Sequence, residues 1–301
     1  MDWKWFTEYQ TPHSAHMHGI SEIVYSKKTD FQQIDIFDSH EYGRMLALDG
    51  KVQSTTRDEH IYHECLVHPL MLAHPNPKSV LIVGGGEGGT LREILKYSSV
   101  ERATMVDIDK YVIECSKKYM PQLSNGSFED KRAEIIIGDG REYVEKCAKK
   151  FDIIIMDLTD PLEEGPAQRL YTREFYRAAY RVLTGDGMIV TQATSTYYSI
   201  YCFAAIFRTI KDSFCRAGGY HSWIPAYDST WGFVYGTKGP DPGKMKPKEV
   251  SERLAKRGIE GLKYYDGEIH RSLFALPKQV KASLEEEGNV ATDDNPTFMP
   301  I

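Results

Sequence analysis

Nowhere among the 301 residues does an apolar run reach eighteen, and Met1-Asp2-Trp3-Lys4-Trp5 is not a basic start leading into an apolar stretch. Neither a membrane span nor a signal peptide is therefore expected. A basic surplus is also missing: 37 Lys and Arg stand against 43 Asp and Glu, a formal charge of -6, which argues against nucleic acid as the main partner. Cysteine is scarce and scattered, with Cys65, Cys115, Cys147, Cys202 and Cys215 odd in number and forming no Cys-x-x-Cys pair. That disfavours a disulfide framework or a zinc site and fits small apolar residues in a reducing compartment. Internal repeats and low-complexity segments are absent as well. The expectation is a soluble cytoplasmic protein.

With 41% hydrophobic residues the chain can bury a full core. Residues 1 to 19, aromatic and bearing His13, His16 and His18, read as a loose N-terminal arm without the acidic or cysteine support a metal site needs. From Ile20 to Gln53, short alternating segments separated by polar turns predict a small antiparallel β unit, too small to stand alone. Asp58-Glu59-His60-Ile61-Tyr62-His63-Glu64 then opens a helix through Leu72, ended by Pro75 and Pro77. After it, apolar runs starting near residues 79, 102, 133, 151 and 188 alternate with helical patterns. Five βα units in succession mean an α/β fold with a parallel sheet and right-handed crossovers. Gly232-Phe233-Val234-Tyr235 predicts a closing hairpin, and the chain beyond the Gly/Pro-rich 239–243 reads as short helices and loops. The expected division is 1–57, 58–238 and 239–301.

The chemistry gathers where those strands end. Gly84-Gly85-Gly86-Glu87-Gly88-Gly89 satisfies G-x-G-x-x-G between a strand and a helix, with Asp107 about twenty residues on; together they predict a nucleoside site. Gly138-Asp139-Gly140 ends the third strand, where an Asp can accept from an exocyclic adenine amine. Asp157 and Asp160 end the fourth, in a segment that by itself reads as a strand end and a turn. Glu87 would repel a pyrophosphate, which favours a sulfonium nucleoside over a dinucleotide. It would also repel the carboxylate of intact S-adenosylmethionine while pairing with the bare ammonium of the decarboxylated form.

Leu48-Asp49-Gly50-Lys51-Val52-Gln53-Ser54-Thr55, the helix opening at Asp58, Gly84–Gly89, Gly138-Asp139-Gly140 and Asp157–Pro161 together closely resemble the polyamine aminopropyltransferases, the spermidine synthase family, over roughly residues 20 to 238. The resemblance implies a small antiparallel β domain before a Rossmann-like, class I methyltransferase-like domain. It implies transfer of an aminopropyl group from decarboxylated S-adenosylmethionine, as co-substrate, to a polyamine acceptor, with no metal and no tightly bound cofactor. By the same resemblance Gln32, Gln53 and Pro166 contact the nucleoside, Asp107 the ribose, and Asp139-Gly140 the adenine. His63 and Glu87 face the aminopropyl or amine chain. Asp157 is the proton acceptor, with Asp160, Tyr62, Gln192 and Tyr227 arranging the acceptor amine. A homodimer or homotetramer is implied too.

On the acceptor side the chain departs from the common pattern. Asp157-Leu158-Thr159-Asp160-Pro161 stands for Asp-Ser-Ser-Asp-Pro, and Pro225-Ala226-Tyr227-Asp228 for Pro-Thr-Tyr-Pro. Both forms look more like the thermospermine synthases and agmatine aminopropyltransferases, which leaves putrescine, agmatine and spermidine open as acceptors. The alternatives are a methyltransferase using intact S-adenosylmethionine and a non-catalytic nucleoside-binding homologue.

Overall fold

Residues 4–286 and 288–299 are described by the structure, a computed structural model. Five antiparallel strands come first, in the order β1-β2-β3-β4-β5: β1 (Lys4–Thr11), β2 (Ser14–Lys28), β3 (Gln33–Ser39), β4 (Gly43–Leu48) and β5 (Lys51–Thr55). The loose arm expected over residues 1 to 19 is therefore a β-hairpin from Lys4 onward, residues 1–3 of it lying outside the described residues. The reason is an inverted pattern. Along β1 the inward residues are Glu8 and Gln10 and the outward ones include Trp5 and Tyr9, so hydrophobic alternation points away from the fold and polar alternation into it. β1 and β5, the two sheet edges, meet through side chains: Val52 N–H donates to Glu8 Oε1 at 3.1 Å, and the Lys51 ammonium donates to the Tyr9 carbonyl. Both edges are thereby covered.

A seven-stranded sheet follows, ordered β11-β12-β10-β9-β6-β7-β8. Its strands are β6 (Ser79–Gly84), β7 (Arg102–Asp107), β8 (Ala133–Ile137), β9 (Phe151–Asp157), β10 (Leu183–Ser195), β11 (Arg216–Ile224) and β12 (Ser229–Thr237). The first five are parallel and β12 runs antiparallel between β10 and β11, as the closing hairpin predicted. Helices α1 (Glu59–Ala73), α2 (Gly89–Leu95), α3 (Lys110–Tyr119), α4 (Pro121–Ser124), α5 (Gly140–Lys146), α6 (Arg173–Val182) and α7 (Ile200–Ser213) connect and cover it. Central strands explain the rest: Ile153, Ile154, Ile155 and Met156 are all buried on both faces of β9, each contributing about 2 kcal/mol. β6 pairs β7 on one side and β9 on the other. Chain order reverses there, and such a switch point opens a crevice beyond the strand ends.

The last sixty residues carry α8 (Pro247–Lys256), α9 (Gly267–Leu273) and α10 (Lys278–Glu285) and lean on α1, which is buried almost all round. Arg253 and Arg257 donate to the carbonyls of Leu72 and His74 at 2.6 Å, satisfying the C-terminal end of α1. Glu64, buried on the same helix, accepts backbone N–H from Lys263, Tyr264 and Tyr265 at 2.8, 2.9 and 2.8 Å. Farther on, Asp293 pairs with Arg141 at 2.6 Å, and Met299 N–H donates to the Pro161 carbonyl at 2.9 Å.

Candidate active site

The glycine run is bound directly to the strand end beside it. Gly84 takes φ 81°, a Cβ there would stand 2.1 Å from the Asp157 carbonyl oxygen, and Gly85 N–H donates to that oxygen at 2.9 Å. Only glycine tolerates both the positive φ and the approach. The turn brings Glu87 and Asp157 into one cleft of about 950 Å³, whose walls also include Asp107, Asp139 and Asp160. The four strand ends singled out in the sequence thus present their acids to a common space.

Asp157 is fixed by two hydroxyls: Tyr62 donates to Oδ1 at 2.8 Å and Thr90, the second residue of α2, to Oδ2 at 2.7 Å. Burial raises its pKa, and the nearby Glu87 carboxylate raises it further, against the lowering influence of His63, Thr90 and Tyr62. Glu87 accepts from the Ser54 hydroxyl and from His63 Nε2, the latter at 2.9 Å. His63, expected to face the amine chain, does not reach the cleft. It is fully buried behind Glu87, with Nδ1 at 2.7 Å from Glu59. Burial alone would discharge it, but the two flanking carboxylates raise it to about 10, so it is an imidazolium. Glu59 is opposed by burial as well, yet His63 and the forked Arg92 pair hold it down at about 2.

On the nucleoside side, burial pushes Asp107 up to about 6 even though Asp109 N–H donates to it at 2.8 Å. Gln32 lines the cleft and donates to Asp109 at 3.2 Å. Asp139 caps α5 through Oδ1, accepting from Arg141 and Glu142 N–H at 2.7 and 3.1 Å. Gly140 must stay small because a Cβ would meet Val83 at 2.4 Å. Gln53 and Pro166 line the cleft as well, and share a side recess with Asp160.

On the other side, Asp160 is buried and raised to about 6 by that burial, with Lys51 the largest opposing influence. Gln192 Nε2 ties the loop together, reaching the Leu158 carbonyl at 3.1 Å, Asp160 at 3.3 Å and the Tyr171 hydroxyl at 2.9 Å. Tyr227 donates to the Gln53 carbonyl and packs its ring against Tyr62 and Trp231. The indole N–H of Trp231, in the cleft wall, is buried without a partner.

Sequence reasoning missed Ser54, Glu59, Thr90 and Lys51. Ser54, Glu59 and Lys51 sat inside recognised motifs, but each acts through a contact that only the folded chain creates. Among the described residues, no group of three or more His, Cys, Asp or Glu side chains is placed to hold a metal ion.

The family described as spermine/spermidine synthase domain matches residues 59–243, and that described as spermidine synthase tetramerisation domain matches residues 4–56. A polyamine aminopropyltransferase of Sulfolobus acidocaldarius is 42% identical over 299 residues, 99% of each chain; one of Saccharolobus islandicus is 45% identical with the same coverage. Among solved structures, a spermidine synthase in complex with the transition-state analogue AdoDATO is 41% identical with a TM-score of 0.89, over 95% of this chain and 96% of that one. The spermidine synthase of Thermotoga maritima superposes with a TM-score of 0.87 at 41% identity, over 95% of both.

Proposed function

The chain belongs to the spermine/spermidine synthase family and catalyses aminopropyl transfer in polyamine biosynthesis, and we propose that Asp157 is the base of that reaction. Decarboxylated S-adenosylmethionine is the co-substrate, and an amine is the acceptor. An alkylammonium leaves about one amine in a thousand or fewer unprotonated at neutral pH, and the ammonium has no lone pair with which to attack. Asp157 takes the proton; the amine forms its bond to the carbon beside the sulfonium; the carbon–sulfur bond breaks and its electron pair stays on a neutral thioether, 5'-methylthioadenosine. No acid is needed behind that leaving group. The carrying observation is the doubly held, half-buried Asp157 beside Glu87: desolvation narrows the gap between the carboxyl and the ammonium it must deprotonate. Glu87 pairs with the aminopropyl ammonium, with His63 as its buried support.

In this reading Asp107 binds the ribose, Asp139-Gly140 the adenine, and Gln32, Gln53 and Pro166 frame the nucleoside. Asp160 anchors the acceptor, with Tyr62, Gln192 and Tyr227 around it. Incubation with decarboxylated or intact co-substrate beside putrescine, agmatine and spermidine, followed by mass analysis, tests the reading and identifies the acceptor. A methylated amine as the sole product would defeat it.

A pH profile follows from the two acids that burial raises to about 6, Asp107 and Asp160. Both work as carboxylates, so protonation removes them from action as pH falls. The expected kcat/KM falls as pH drops through about 6 with a log–log slope of about two or more, because Asp157, which burial also raises and which must be a carboxylate to act, adds to the acid limb. A profile that stays flat down to about pH 5 contradicts these roles.

The described N-terminal residues place Trp5, Tyr9, Met17 and Ile23 in solvent, an apolar outer face on the segment matched as a tetramerisation domain. An oligomer fits this surface, and a homodimer or homotetramer is the finer proposal; a monomer by light scattering would refute both. No helix among the described residues is long and apolar enough to cross a membrane. Cytoplasmic residence and the division at 57/58 and 238/239 stand as proposals beside these.

A further inference from the structure

Where β5 begins beside the N-terminal hairpin, a lysine lines a recess next to the acid-bearing cleft. Lys51 is buried and its ammonium donates to the Tyr9 carbonyl of β1. Its side chain lines a side recess together with Asp49, Thr159, Asp160 and Leu162, and Asp160 and Thr159 are also walls of the main cleft. The lysine thus sits at the seam between the small sheet and the loop after β9.

Asp160 needs such a neighbour. Gln192 is its hydrogen-bond donor, at 3.3 Å, and one neutral donor does not replace the hydration of a buried carboxylate. The titratable groups acting on or with it are Glu8 from β1, Lys51 from β5, Tyr171, Cys202 from α7, and Tyr227. Of these Lys51 brings the positive charge. Glu8 acts on both, with Oε1 taken by Val52 N–H and Oε2 facing His18 Nε2 at 3.5 Å. Charges therefore alternate across the seam, from Glu8 to Lys51 to Asp160, and an acceptor ammonium would be the next of the series.

We propose that Lys51 is a positioning residue of the acceptor site: a resident cation, clamped by the N-terminal hairpin, that keeps Asp160 a carboxylate able to hold the acceptor's ammonium. Burial works against the lysine's own charge, and Asp160 and Glu8 sustain it. The N-terminal hairpin thereby becomes part of the acceptor site without touching the acceptor. The proposal rests on Asp160 being the acceptor anchor.

Transfer rates are measured against pH for wild type, Lys51→Met, Lys51→Arg and Asp160→Asn, varying acceptor and nucleoside separately. Lys51→Met should displace the acid limb of kcat/KM for the acceptor upward by about one pH unit, lowering kcat/KM about twofold at neutral pH and roughly tenfold well below pH 6. The KM for the nucleoside should stay as it was, and Lys51→Arg should restore the wild-type limb. An unmoved limb in a folded Lys51→Met, or an arginine variant as impaired as the methionine one, overturns the proposal. Should Lys51→Met not fold, the wild-type chain answers by 15N NMR. The Lys51 ammonium signal, assigned by its loss in Lys51→Arg, should titrate with Asp160 and lose that step in Asp160→Asn; a signal without the step rejects the proposal. An acceptor KM left unchanged by Asp160→Asn removes the anchor role itself, a failure distinguishable from that of Lys51.

Discussion

Asp157→Asn should slow aminopropyl transfer by about 10²–10⁴-fold, the range of a positioned general base, while the nucleoside binds with near wild-type affinity. The substitution keeps shape: an amide oxygen can still accept from Tyr62, which sits 2.8 Å from Oδ1, and the Thr90 hydroxyl can turn from donating to accepting. Only the capacity to take a proton is gone. The stability sign separates this loss from unfolding. Burial raises Asp157, so the folded chain holds the proton more tightly than the unfolded chain, and stability falls as pH rises through the folded pKa. Above the folded pKa, the carboxylate is therefore a destabilising charge in the cleft. The asparagine variant should melt no lower than wild type there, and nucleoside titration with single-turnover rates will separate binding from chemistry. Unimpaired turnover would take Asp157 out of the base role, and lost nucleoside binding would make it a structural residue.

Glu64→Ala carries the second large effect, on stability. The carboxylate terminates three buried or half-buried N–H groups, those of Lys263, Tyr264 and Tyr265. Truncation leaves all three without their acceptor, and each orphaned donor costs about 1–3 kcal/mol, so a total of about 3 kcal/mol or more is expected after water has entered the gap. For a chain of this size that lowers the melting temperature by roughly 5–10 °C. Glu64→Gln keeps one acceptor oxygen and should lose about half as much. Unfolding curves for the two variants check the order, and equal stability of alanine and wild type would mean that the C-terminal segment is held elsewhere.

The sheet was legible because its strands are apolar on both faces and its helices fall between them at regular intervals. Ile153 to Met156 could be read as a buried strand from composition alone, and the acids at successive strand ends then shared one edge by topology. The N-terminal hairpin was not legible for the opposite reason: with Glu8 and Gln10 inward and Trp5 and Tyr9 outward, its alternation makes sense only once a second surface covers the outside. His63 illustrates a different limit. A histidine in a motif next to a cleft suggests contact with ligand, but which neighbours clamp it depends on the α1–α2 packing, which no local pattern encodes. Ser54, Thr90 and Lys51 were hidden in the same way, since a hydroxyl or an ammonium acquires its meaning from the carboxylate it meets across the fold.

The approach of α2 to α1 has a consequence for the order in which this site can change. A Cβ on Gly89 would stand 2.4 Å from the His63 ring, a ring held on both sides by Glu59 and Glu87 and therefore unable to step aside. Positions 63 and 89 are thus a single heritable unit. Of the two mutational paths that would give residue 89 a side chain, the one that begins at 89 collides with the imidazole ring, and the one that first shortens residue 63 passes through an intermediate whose Glu59 and Glu87 have lost the group between them.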